Sequence, residues 1–134
     1  MKNILVALMF LLSINMVAQT NTMIIRISEI EIDSSYLQEY KNILQIEAKA
    51  SVQKESGVVA IFPMYQKENP AQIRILEIYS NKSAYENHIK SPHFLKYKAS
   101  TLKMVKSLRL IDMNSIDTET MKDIFSKLNR SYKK

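Results

Sequence analysis

The segment Gln72–Tyr79, QIRILEIY, constrains the fold more than any other part of the chain. A strand shows successive side chains to opposite faces. Ile73, Ile75 and Tyr79 fall on one face and Leu76 and Ile78 on the other, so both faces are apolar. A sheet covered by helices on one side only has no use for the second apolar face. That face asks for another cover, and a partner subunit is the economical one.

The neighbouring segments narrow the architecture. Met23–Ile32 is rich in isoleucine and reads as a strand whose alternation changes phase. Ile25 and Ile27 share one face, Ile30 and Ile32 the other, which predicts a bulge near Ser28–Glu29 or cover on both faces. Ser35 followed by Gln38 fits a capping box, with Asp33 and Ser34 as further caps. Leu37, Tyr40, Leu44, Ala48 and Val52 then recur at helical spacing, predicting a helix to about Glu55. Gly57, the only glycine, falls where a left-handed C-terminal cap is expected. Val58–Tyr65 reads as a strand, and Pro63 within it predicts an edge position or a bulge. A polar turn with Asn69–Pro70 separates it from Gln72–Tyr79.

Asn81 can cap a short helix carrying Tyr85, His88 and Ile89. Ser91–Pro92 starts another, with serine at the cap, proline at the first helical position, and Phe94, Tyr97, Thr101, Leu102 and Val105 as its inner stripe. Ser107–Met113 reads as the last strand. The order βαββααβ is that of an α+β, ferredoxin-like sheet with helices on one face. This domain spans 19–114. Residues 115–134 are polar, with Met121, Ile124, Phe125 and Leu128 at helical spacing. They read as a short helix docking on the chain's own or a partner's surface, with a basic end from Arg130 to Lys134, or as a tail without fixed structure.

Residues 1–18 read as an export signal. Lys2 precedes an unbroken apolar run from Ile4 to Leu12, too short for the roughly 20 residues of a membrane span. The expectation is therefore an exported, periplasmic or secreted protein. The chain has no cysteine, which excludes disulfides, thiol catalysis and thiolate metal sites. Its stability must then come from the core or from a subunit interface. A single glycine excludes the Gly-rich phosphate loops.

The segment from Glu77 to Phe94 holds both histidines, the only side chains whose unperturbed pKa lies near neutrality. His88 follows Tyr85 by three residues on one helical face. His93 sits in the first turn of the next helix, whose dipole disfavours an imidazolium. A neutral imidazole there can accept a proton or hydrogen-bond a substrate oxygen; packing or capping roles are the alternative. Five residues and a Ser-Pro break separate the two, so spacing alone offers no ready metal-ligand pair, and no metal site is expected.

Leu76-Glu77-Ile78-Tyr79, Ala84-Tyr85, His88 and Ser91-Pro92-His93-Phe94 together resemble the signature of the antibiotic biosynthesis monooxygenase family. Glu55-Ser-Gly57 before a strand and Asn69-Pro70 before the next are also similar to its pattern. The resemblance covers roughly Met23–Met113. It implies a homodimer in which two ferredoxin-like sheets meet as a dimeric α+β barrel, with a pocket between helices and sheet in each subunit. It also implies a cofactor-independent oxygenase in which a quinol or other electron-rich phenol is deprotonated and meets O2, the co-substrate. No flavin or metal is needed, because the substrate carries the reducing power. By the same resemblance His88 and His93 are candidate bases or orienting groups. Glu77 matches the motif carboxylate, orienting a histidine or tyrosine or pairing with a lysine. Tyr65, Tyr79 and Phe94 are candidates for the pocket wall or for plain core. Arg26 is a candidate partner for a phenolate, or an exposed strand residue.

A haem-degrading branch uses a tryptophan and a ligating histidine, where this chain has His88 and Lys98 and no tryptophan at all; haem degradation is not expected. Isomerisation of small hydroxy-ketones on the same scaffold, and non-catalytic binding of a small hydrophobic ligand, are the alternatives to oxygenation. Between Glu86 and Asp112 there is no acid, while six lysines and arginines fall there. This is a solvated helix face, or an electropositive surface for anionic substrates or lipid headgroups. No nucleic-acid module is recognisable.

Overall fold

A computed structural model describes residues 22–131; the predicted export signal lies outside them. Four strands, β1 (Ile24–Ile32), β2 (Val58–Tyr65), β3 (Gln72–Tyr79) and β4 (Val105–Met113), form one antiparallel sheet in the order β2-β3-β1-β4. Helices α1 (Leu37–Lys54), α2 (Lys82–His88) and α3 (Pro92–Thr101) complete the βαββααβ order, and α4 (Thr120–Ser131) follows. This is the ferredoxin-like α+β fold.

The core lies between the sheet and the helices. Ile30, Ile32, Ile73 and Ile75 from the sheet pack with Tyr40 and Leu44 of α1, Tyr97 of α3 and Met104. Each of these aliphatic side chains contributes about 1.5–3 kcal/mol on full burial. Register puts Ile27 opposite both Leu76 and Ile111, and Ile25 opposite both Ile78 and Met113. The other sheet face is thus apolar as well, and Phe62, paired with Leu76 on it, is 60% exposed.

Several local expectations hold. Pro63 lies on β2, an edge strand bonded only to β3, which carries a register shift between Val58 and Ala60. Asn81 caps α2 by accepting from Ala84 N at 2.8 Å, and Ser91 caps α3 with Pro92 in its first turn. Of the two alternatives for β1 the bulge near Ser28–Glu29 is not found: that stretch is regular, the sheet is apolar on both faces, and the irregularity falls between Glu31 and Ile32, against β4. Others are corrected. Asp33 rather than Ser35 provides the cap, accepting from Ser35 N at 2.9 Å, so the chain enters α1 through a turn of 3₁₀ helix at Ser34–Tyr36. Gln38 instead bonds Asn42.

Gly57 has no positive φ, so it is not a left-handed cap. A Cβ there would lie 2.5 Å from Ala84 Cβ and 3.2 Å from Ser80 Oγ. Glycine lets the start of β2 approach α2. On α1, Val52 is exposed, and the buried positions are Tyr40, Leu44, Glu47, Ala48 and Ser51. Leu102 is likewise exposed, and Met104 takes the core position. Helix α4 forms at the predicted place, but none of its residues is buried. Its stripe of Ile124, Phe125 and Leu128 is exposed, so no docking of this face is seen among the described residues. Among the described residues no helix is long and apolar enough to cross a membrane.

Candidate functional site

A cavity of about 300 Å³ opens between the sheet and helices α1–α3, at the lower end of the ~300–1,000 Å³ that ligand pockets span. Ile75, Glu77 and Tyr79 of β3 and Arg26, Ser28 and Ile30 of β1 form its floor. Its walls are mostly aliphatic and aromatic, with a few convergent polar groups.

Three of those groups form a chain on the floor. Ser28 Oγ donates to Glu77 Oε1, and Tyr79 OH donates to Glu77 Oε2 at 2.8 Å. Register explains the meeting: Ser28 lies opposite Ile75, so Ile75, Glu77 and Tyr79 share the Ser28 face. Burial, and then the Glu77 carboxylate, push the Tyr79 phenol far above its ordinary range, so it stays a donor. Arg26 lies opposite Glu77, bonds Asp112 at 2.8 Å and stacks over Tyr85 with its guanidinium carbon 4.7 Å from the ring centroid. Burial works against its charge, but the bonds to Asp112 and Tyr85 outweigh it and raise its pKa. It is a fixed cation in the cavity wall.

The roof is built around His88, which is 3% exposed. Its ring packs on Phe94 and Tyr79, with centroids 4.8 and 5.3 Å away. Its Nδ1 lies 2.8 Å from Glu55 Oε2, and His93 Nε2 lies 2.7 Å from the same oxygen. The Ser-Pro break creates this arrangement. Helix α2 ends at His88, and Ser91 bonds the His88 carbonyl while capping α3. The reversal turns His93 back toward the carboxylate at the end of α1. With the Glu55 carboxylate as the acceptor, Nδ1 of His88 is the donor, and in the neutral ring the lone pair then sits on Nε2. Deeper in, Tyr40 and Tyr97 share a hydrogen bond of 2.6 Å. Burial pushes Tyr97 up to about 12 and Tyr40 further still.

Of the residues singled out in the sequence, Arg26, Glu77, Tyr79, His88 and Phe94 line this one cavity. His93 does not line it and joins the site through Glu55. Tyr65 lies outside. It is paired with Ile73 at the far end of the sheet, is half exposed, and carries Lys41 Nζ 3.7 Å above its ring. Its place opposite Ile73 puts it on the helix side of the sheet, at the end away from Tyr79 and the cavity.

Three residues escaped the sequence reading. Ser28 was hidden by the apparent phase change in β1. Glu47 carried a signal: it falls on the inner stripe of α1, three residues after Leu44 and four before Ser51, where a carboxylate is out of place. Glu55 stands in the Glu55-Ser-Gly57 string that resembles the family pattern, but nothing local ties it to the histidines, since its contacts span 33 and 38 residues. The fold also undoes the spacing argument against clustered ligands, because one ligand atom each from Glu47, His88 and His93 lie within 4.8 Å of one another.

The profile of the family described as antibiotic biosynthesis monooxygenase matches residues 23–100. No curated protein matches the chain. Among solved structures, a Bacteroides thetaiotaomicron protein provisionally described as an antibiotic biosynthesis monooxygenase is 42% identical. Its TM-score is 0.71, and the match covers 72% of this chain and 91% of that one. A Lactobacillus acidophilus protein provisionally described as a monooxygenase is 24% identical, with a TM-score of 0.68, over 70% of this chain and 45% of that one. One from Nitrosomonas europaea, provisionally described as an antibiotic biosynthesis monooxygenase, is 12% identical, with a TM-score of 0.67, over 72% and 92%. The last two show the fold alone.

Proposed function

The chain belongs to the antibiotic biosynthesis monooxygenase family, and from that membership we propose that it is a monooxygenase using O2 on a quinol or another electron-rich phenol, without a cofactor. One observation carries the reading: a buried histidine, 3% exposed, faces a cavity of about 300 Å³ and is fixed by a carboxylate at 2.8 Å.

In this reading His88 Nε2 takes the phenolic proton, and Glu55, hydrogen-bonded to Nδ1, steadies the imidazolium that forms. Arg26 stabilises the phenolate from the facing wall, where low polarity strengthens the attraction. The Ser28–Glu77–Tyr79 chain holds the Tyr79 hydroxyl in place against the substrate ring. The anion then reacts with O2. One oxygen atom enters the ring as a hydroxyl, the other leaves as water, and the quinol supplies the electrons and ends as a hydroxyquinone. The apolar remainder of the wall keeps water from the carbanion-like centre.

The same reading makes the protein an exported homodimer. Lys2 and the apolar run from Ile4 to Leu12 support export. The apolar outer face of the sheet, with Ile27, Phe62, Leu76 and Ile111 in register, supports a second copy packed sheet to sheet.

The test is oxygen consumption over a panel of quinols. Protein-dependent uptake is expected, falling roughly 10²–10⁴-fold in His88→Ala and less in His93→Ala, whose ring acts through Glu55. Absence of uptake across the panel overturns the oxygenase. Glu77 on β3 and His88 on α2 also both line the cavity, and acid/base work on a carbonyl needs two such groups. Anaerobic turnover of hydroxy-ketones would favour the isomerase instead.

A further inference from the structure

Glu47 has no part in the reaction just described, and its surroundings are unusual. It is 5% exposed, in the middle of α1. Its Oε1 accepts from Ser51 Oγ at 2.8 Å, while Oε2 is buried without a hydrogen-bond partner among the described residues. A buried carboxylate oxygen without a partner is costly. Arg26, the half-buried cation of the cavity wall, is already taken by Asp112. What stands near Glu47 instead is the pair of histidines, with one ligand atom from each of the three within 4.8 Å of the others.

We propose that Glu47, His88 and His93 form a binding site for a borderline divalent transition-metal ion of the zinc class, at the inner end of the cavity. Atoms within 4.8 Å of one another leave their common centre no more than about 2.8 Å from each, against metal–ligand bonds of roughly 2.0–2.2 Å. Side-chain shifts of under ~1 Å close the site. The three ligands come from three elements, the middle of α1, the end of α2 and the start of α3, and α1 and α3 pack directly on each other. Glu55, bonded to both rings, is the outer carboxylate that orients ligating histidines. Two imidazoles and one carboxylate select Zn²⁺, Co²⁺, Ni²⁺ or Fe²⁺ over Mg²⁺ and Ca²⁺, which take oxygen ligands. Because Glu47 and His88 also line the cavity, the remaining coordination position opens into it, as at sites that keep an exchangeable ligand. The quinol reaction has no use for the ion. Bound there, it would occupy histidine lone pairs that the reaction needs, so the site reads as inhibitory toward that chemistry.

The experiment needs no substrate. These are the chain's two histidines, and it has no cysteine, so background affinity is low if the protein carries no histidine tag. Chelator-treated protein is titrated with Co²⁺ alone and followed by visible d–d absorption, then with Zn²⁺ or Mg²⁺ as competitor. One equivalent of Co²⁺ is expected, displaced by Zn²⁺ and not by Mg²⁺. Glu47→Gln, which keeps an acceptor for Ser51, and His93→Gln should each lose the band while the far-ultraviolet dichroism stays unchanged. Glu55→Gln should weaken binding roughly 10–100-fold. No band in the wild type, or an undiminished band in Glu47→Gln, overturns the site.

Discussion

Replacing Glu55 by alanine tests the central claim about this site, that one carboxylate oxygen holds both histidines. Glu55 Oε2 is 2.8 Å from His88 Nδ1 and 2.7 Å from His93 Nε2, and the three side chains are 17%, 4% and 17% exposed. Removing the acceptor strands the His88 N–H where water has little access, which costs about 1–3 kcal/mol. His93 is nearer solvent and recovers a water, so its share is about 1 kcal/mol. The sum is roughly 2–4 kcal/mol, or a melting temperature lower by about 8–16 °C for a domain of this size. Glu55→Gln keeps one acceptor and turns its amide toward the other ring, so about half of that loss is expected. Thermal and urea melts of wild type, both variants and the Glu55→Ala/His93→Ala pair give the numbers directly. In the double variant the His93 share vanishes, leaving a coupling of about 1 kcal/mol. A Glu55→Ala protein that melts within about 2 °C of wild type would refute the clasp, and with it the orientation of His88.

Gly57→Ala should destabilise by about 1–3 kcal/mol, because its Cβ would sit 2.5 Å from Ala84 Cβ; adding Ala84→Gly should recover part of the loss in urea melts, and no recovery would mean the clash is not the cause. Tyr97 is held up to about 12 by burial, and Tyr40 higher still. Unfolded tyrosines lose protons near pH 10 while these keep theirs, so stability should be intact below about pH 10 and fall as pH rises toward 12, by about 1.4 kcal/mol per pH unit for each such tyrosine. Tyrosinate absorbance should then appear together with unfolding, and full ionisation of all seven tyrosines in a still-folded protein would contradict it. Phe62→Glu places a charge on the outer sheet face, where Phe62 is 60% exposed; light scattering should find a dimer in the wild type and a monomer in the variant, and a monomeric wild type would overturn the dimer.

What the sequence reveals here divides along the range of the interactions. Alternation and spacing act over two to four residues, and they locate β2 and β3 to the residue and α3 through the Ser91–Pro92 start. Turn and cap chemistry is nearly as local, yet Asp33 displaces Ser35 as the cap, because several caps in a row compete and the choice depends on how the chain leaves β1. Gly57 shows the limit more sharply. Its conformation is one that any residue adopts, and glycine is required only because Ala84, 27 positions later, occupies the space a side chain would need. Nothing within a few residues of Gly57 carries that information.

The site follows the same rule, which is why both histidines stand out in the sequence while their contacts with Glu47 and Glu55 do not. Histidines announce themselves by type, whatever the fold does with them. Glu47 and Glu55 are ordinary acids until the break between α2 and α3 turns two rings toward α1. The break decides what each can do. A continuous helix would carry His88 and His93 to different faces, five residues apart, and Glu55 could reach one of them at most. Ending α2 at His88 and restarting at Pro92 makes a five-residue separation into two rings 6.2 Å apart, centroid to centroid, around a single oxygen. Glu47, two helical turns earlier on α1, then lies with one ligand atom within 4.8 Å of a nitrogen from each ring. The Ser-Pro pair that argues against a metal-ligand pair in the linear sequence is therefore the element that brings the two rings together.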